Sequence, residues 1–158
     1  MAFIIQGLDP SLFGSVLDQK QVGAQDTSAP YYEVDENPGF PCRITLDDAS
    51  IGQKVALVSY PHHQANTPYA QSGPIFVSCG DAKPGRFVDT IPPALARRKL
   101  SLRAYDKDGM MVDAALVDGA AAKPVILTLL SNPSITKIDA HNAIRGCFAA
   151  HIVRHEGP

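Results

Sequence analysis

Apolar positions along the chain fall mostly into short alternating runs, the period of strands, and only twice into helical spacing. Residues 3–6 predict an opening strand. Asp9-Pro10 then predicts a helix start, because Asp9 can accept from free amides and Pro10 loses nothing at the first helical position. Leu12, Phe13, Val16 and Leu17 share one face of that helix, and residues 18–30, polar and small, predict a loop. Residues 31–34 and 42–46 predict strands, the latter with Cys42, Ile44 and Leu46 on one face and Arg43 and Thr45 on the other. Residues 55–60 are apolar on both faces, as in a central strand stopped by Pro61; residues 61–73 follow as a polar loop and 74–78 as a strand.

Pro92-Pro93 opens a short helix through Arg98. Residues 100–105 and 110–116 flank Lys107-Asp108-Gly109, a strong hairpin signal. Residues 119–130 predict a helix with Val125, Ile126, Leu129 and Leu130 buried, and strands near 135–141 and 147–154 close the chain. No repeat or linker interrupts the pattern. The expected fold is α+β: one domain over residues 1–158, a largely antiparallel sheet with about three helices against it.

Composition narrows the partners. With 45% apolar and 19% charged residues the chain can build a core, and a net charge of -2 offers no basic field for nucleic acid. No run approaches the ~20 apolar residues of a membrane span. The opening Met1–Gln6 has no basic flank, and the three cysteines, Cys42, Cys79 and Cys147, are an odd number. Reduced thiols and a cytoplasmic location are therefore expected, and no pattern implies a cofactor.

Several polar residues are candidates for chemistry. His62 and His63 follow a strand and His141 ends another, so the three would ligate a metal if those strand ends met. Neither HExxH nor CxxC is present, however, and adjacent residues of a strand point oppositely. Cys147 lies across a short turn from His141 and follows Arg145-Gly146. It is either a buried small hydrophobe, a nucleophile activated by those cations, or the partner of Cys42 in a disulfide. Arg43, Arg103 and Arg145 must each meet an anion. They either pair with Asp106, Asp113 or Asp139, or together bind a carboxylate or phosphate. Ser72-Gly73-Pro74 lacks the GxSxG pattern of a nucleophile elbow.

Four stretches carry a family resemblance. They are residues 38–43; residues 72–77; residues 102–106 with 108–113; and His141-Asn142-Ala143 with residues 145–150. Together they resemble the small bacterial proteins of domain of unknown function 1203. The resemblance implies a bacterial, compact, single-domain protein and carries no reaction.

Three functional expectations follow. The first is a pocket for a small anionic molecule built from Arg43, His62, Ser72, Arg103, Asn142 and Arg145, with Cys147 and His141 as the residues for any catalysis. The second is a non-catalytic domain that binds a protein partner or a second copy of itself, using residues 23–30 with Tyr31 and Tyr32. The third is a metal-dependent enzyme using His62, His63 and His141.

Overall fold

The computed structural model describes residues 1–18 and 29–157, so most of the predicted loop 18–30 lies outside the described residues. Strands dominate, in two separate sheets. In the larger, β1 (Ala2–Gln6) lies between β5 (Arg86–Val88) and β9 (Phe148–His155). The sheet continues through β8 (Ile135–Asn142) and β6 (Lys99–Asp106) to β7 (Met111–Asp118), with every neighbouring pair antiparallel. The smaller sheet orders β2 (Tyr31–Glu33), β3 (Lys54–His63) and β4 (Gln71–Ser78), also antiparallel.

The expectation of one sheet backed by about three helices is corrected: strand accounts for 44% and helix for 15%. Only α3 (Ala122–Leu130), extended by the turn Gly119–Ala121 into a 12-residue run, is a substantial helix. α1 (Gly14–Asp18) and α2 (Pro93–Ala96) are a turn or so each. Apolar spacing at Leu12–Leu17 and the Pro-Pro pair mark helix starts, but neither supplies the length for a layer. No helix among the described residues is long and apolar enough to cross a membrane.

Two local expectations also change. Residues 42–46 form no strand. Cys42 makes a single parallel bridge to Phe76, and the chain then turns, with Leu46 at a positive φ of 62°. Pro61 does not end β3, because the β3–β4 register shifts between Tyr60 and His63 and a proline there is spared a ladder hydrogen bond. β5, only three residues long, had no legible pattern. The hairpin of β6 and β7 turns as expected, with Gly109 at φ 83°.

The two faces of the large sheet differ in kind. One carries Phe3, Ile5, Leu100, Leu102, Ala104, Ile138, Ala140 and Ile152, which pack on Ile126, Leu129 and Leu130 of α3. Arg154 of β9 ties that helix down, donating from Nε and Nη2 to Leu130 O and so satisfying a carbonyl at its C-terminal end. The opposite face carries Arg103, Tyr105, Lys137, Asp139, His141, Phe148 and His151. Much of it lies under β3, whose Tyr60, His62 and His63 make ring contacts with Tyr105, His141, Phe148 and His151. A face that reads as polar is thereby buried, and its groups must pair with one another.

Candidate functional site

Two neighbouring features hold the polar residues together: a cationic cavity at the end of the large sheet, and a buried histidine–aspartate cluster between the sheets.

The cavity has a volume of about 310 Å³ and is lined by Arg43, Arg97, Arg98, Lys99, Asn142, Arg145 and Cys147, among others, with no carboxylate in its wall. Three of its five cations are already engaged. Arg97 pairs with Asp47 at 2.8 Å and with Asp48 at 2.9 Å, Arg98 pairs with Asp48 at 2.6 Å, and Lys99 stands 3.9 Å from Asp118. Burial pushes the Asp48 carboxyl up, but the Arg98 and Arg97 guanidiniums outweigh it and hold the group below the ordinary carboxylate value.

Arg43 is different. It is 4% exposed and has no carboxylate at ion-pair distance among the described residues. Its Nε donates to Phe148 O at 2.8 Å and its Nη1 to Pro41 O at 2.6 Å, while Nη2 makes no hydrogen bond among the described residues. Burial, with the nearby Arg98 charge adding to it, lowers its pKa to about 10. Arg145, exposed at the rim, likewise has no ion-pair partner among the described residues. Asn142 Oδ1 is buried and has no hydrogen bond among the described residues.

The cluster is reached from the other side of the same strand. Alternation along β8 puts Lys137, Asp139 and His141 on the inner face, and a β8–β9 register shift at His141 brings Phe148 beside them. His62 stacks on Phe148 with ring centroids 5.2 Å apart and meets His141 edge-on at 4.9 Å. His141 Nδ1 donates to Gly146 O at 2.9 Å, which leaves the Nε2 lone pair facing inward.

Asp139 is fully buried, and its Oδ1 accepts from His151 Nδ1 at 2.6 Å. The far nitrogen of His151, Nε2, is hydrogen-bonded to Tyr60 Oη at 3.2 Å. Asp139 Oδ2 lies 3.2 Å from Lys137 Nζ but takes no aligned hydrogen bond. Burial raises the Asp139 pKa, and the bond and charge of His151, with Lys137, more than reverse that to leave it lowered. Burial drives His62 down to about 4 and also lowers His141, so both rings are neutral at neutral pH.

The predicted site residues thus divide. Arg43, Asn142, Arg145 and Cys147 meet at the cavity. His62 and His141 meet in the cluster, together with Asp139 rather than His63. His63 stacks on Tyr105 at 3.8 Å and is held by Gly109 O and Lys137 Nζ, each at 2.9 Å. Arg103 sits apart, donating weakly to Ser101 and Gln71, and pairs with none of Asp106, Asp113 or Asp139. Ser72 lies on an open edge beside His63. No hydrogen bond joins Cys147 to His141 among the described residues, and all three cysteines are free. Tyr31 is buried and Tyr32 exposed, while residues 23–28 of the expected partner surface lie outside the described residues.

Asp139, His151 and Lys137 were missed as site residues, although Asp139-x-His141 at strand spacing is a readable same-face pair. The consecutive Arg97-Arg98-Lys99 was equally visible and equally passed over.

Fold and site together define a two-sheet protein with a cationic cavity at one sheet end. Residues 39–154 match the model of the family described as "Protein of unknown function (DUF1203)", and the chain belongs to that family. No curated protein and no solved structure gives a significant match to the chain.

Proposed function

We propose that the chain, as a single domain in the bacterial cytoplasm, binds a small anionic molecule, a carboxylate or phosphate compound, in the cavity at the end of the large sheet. The observation that carries the reading is the charge balance of the wall. Five cations in the wall (Arg43, Arg97, Arg98, Lys99, Arg145) meet three carboxylates behind it (Asp47, Asp48, Asp118), which leaves two positive charges without an ion-pair partner among the described residues. One of them, Arg43, is buried with a free Nη2. A desolvated guanidinium is costly, and a bound anion repays that cost through charge-assisted hydrogen bonds. A volume of about 310 Å³ suits a small metabolite and excludes a polymer.

Asn142, whose Oδ1 lacks a partner, would accept a hydroxyl or amide proton of the ligand. Cys147, in the same wall, is positioned for thiol chemistry on it. Free cysteines and the modest net charge are in keeping with the location.

A thermal-shift screen at constant ionic strength tests the reading, with inorganic phosphate, acetate, succinate and citrate as probes. A ligand at a hundred times its Kd adds about 2.7 kcal/mol, roughly 5–10 °C in a protein of this size. At least one anion should give a saturable shift that Arg145→Glu abolishes. Saturable shifts from none of them, or shifts unchanged by Arg145→Glu, would overturn it.

A further inference from the structure

We infer that His62, Asp139 and His141 form a binding site for one divalent first-row transition-metal ion, separate from the anion cavity. Three side-chain atoms in this one cluster are buried without a hydrogen bond: His62 Nδ1, Asp139 Oδ2 and His141 Nε2. Their residues are 4%, 0% and 1% exposed, and one ligand atom from each lies within 4.8 Å of the others. A buried acceptor without a hydrogen bond costs about 1–3 kcal/mol, so the two histidine nitrogens beside Asp139 Oδ2, which has the Lys137 ammonium at 3.2 Å, mark a shared partner.

The protonation pattern identifies that partner as a cation. The His141 proton is on Nδ1, held by Gly146 O, so Nε2 presents a lone pair. Asp139 is ionised and accepts only. With the His62 proton on Nε2, its Nδ1 offers a third lone pair. One metal ion can take all three lone pairs at once.

The surroundings are those of a ligand set already oriented. A backbone carbonyl fixes His141, and His151, itself backed by Tyr60, fixes the other oxygen of Asp139. Two imidazoles and one carboxylate match the donor preference of zinc, iron and their neighbours, with coordination positions left for water or substrate. Ligand atoms around one such ion stand roughly 3–3.5 Å apart at bond lengths of about 2.0–2.2 Å, so side-chain rotations closing the gap by ~1.5 Å complete the site.

Lys137 makes the inference sharper. Its Nζ, 3.2 Å from Asp139 Oδ2, supplies a positive charge where the ion would bind, and so competes with it.

The test is calorimetric titration of tag-free, chelator-treated protein with Zn²⁺, with Co²⁺ absorption reporting the ligand field. The expected result is saturation at one ion per chain. His141→Gln and Asp139→Asn should each weaken binding at least tenfold, Lys137→Gln should tighten it, and His155→Gln, half-buried at the far end of β9, should leave it unchanged. Absence of saturable binding, or affinity unmoved by both ligand substitutions, overturns the site. If either ligand variant fails to fold, ring ¹⁵N spectra of the unaltered protein decide: Zn²⁺ must move His62 Nδ1 and His141 Nε2, and movement confined to His155 overturns the inference.

Discussion

Lowering the pH should destabilise this protein through His62 before any buried carboxylate is protonated. In the folded chain His62 titrates at about 4 against an ordinary 6.5, because burial disfavours its charged form and the neighbouring His141, His151 and Lys137 add repulsion that Asp139 only partly offsets. Below 6.5 the unfolded chain therefore takes up a proton that the folded chain refuses. The stability associated with neutral His62 is complete above 6.5, declines as pH falls, and levels off below about 4. One whole proton corresponds to about 1.4 kcal/mol per pH unit, so the window is worth roughly 3 kcal/mol from His62, and His141, lowered in the same direction, adds to it. Asp139, also lowered, contributes stability that is present above 3.8 and lost only below it, so the two effects separate along the pH axis.

Urea unfolding followed by far-UV circular dichroism, with chelator present, measures this across pH 6.5 to about 4. His62→Phe preserves an aromatic ring against Phe148 and removes the titration, so it should flatten the slope. A stability that stays level over the window, or an equal slope in the variant, would refute the reasoning.

Three further outcomes follow from packing. Phe148→Ala empties a 1%-exposed position bounded by His62, Tyr60 and His151 and should cost about 3–5 kcal/mol in urea unfolding; a cost below about 1 kcal/mol would mean that the sheets do not lean on this ring. A small thiol reagent at neutral pH should label Cys147, in the cavity wall, faster than Cys42, which is 1% exposed and accepts from Ser78 N; equal rates would place Cys147 in the core. Gly119→Ala should destabilise by several kcal/mol, because an added Cβ would stand 1.8 Å from Leu95 O; a near-neutral effect by thermal melt would show that the α2 turn yields easily.

How far these residues could be read in advance depended on whether local pattern or distant packing decides. The β6–β7 hairpin was legible, since Asp108-Gly109 between alternating runs specifies its own turn. Strand β8 and the helical run 119–130 were legible for the same reason, each having its own period. Division into two sheets was not. Nothing local distinguishes a strand that joins β3 from one that joins β8, and burial of the polar face under β3 follows from that choice.

His62 and His141 come from different sheets, so their meeting was only a conditional expectation, and Asp139 looked like an arginine's partner rather than theirs. Register shifts at Tyr60–His63 and at Ala140–His141 decide which side chains face inward, and a bulge of this kind leaves no mark in the alternation. Arg43 is expected from its alternating neighbours to be a strand residue. It follows the Cys42–Phe76 bridge instead, and its Nε and Nη1 donate to two backbone carbonyls, while Nη2 makes no hydrogen bond among the described residues.

The central claim, that Arg43 and Arg145 hold a small anion, is tested most directly by calorimetric titration of the best-shifting anion at fixed ionic strength. Unaltered protein and Arg145→Glu are compared, with Leu116→Ala, 67% exposed on β7 and outside the cavity lining, as control. The prediction is one site per chain, an affinity that falls with added salt, at least tenfold weakening in Arg145→Glu, and no change in Leu116→Ala. Equal affinity in all three proteins, or heat that never saturates, would contradict the claim.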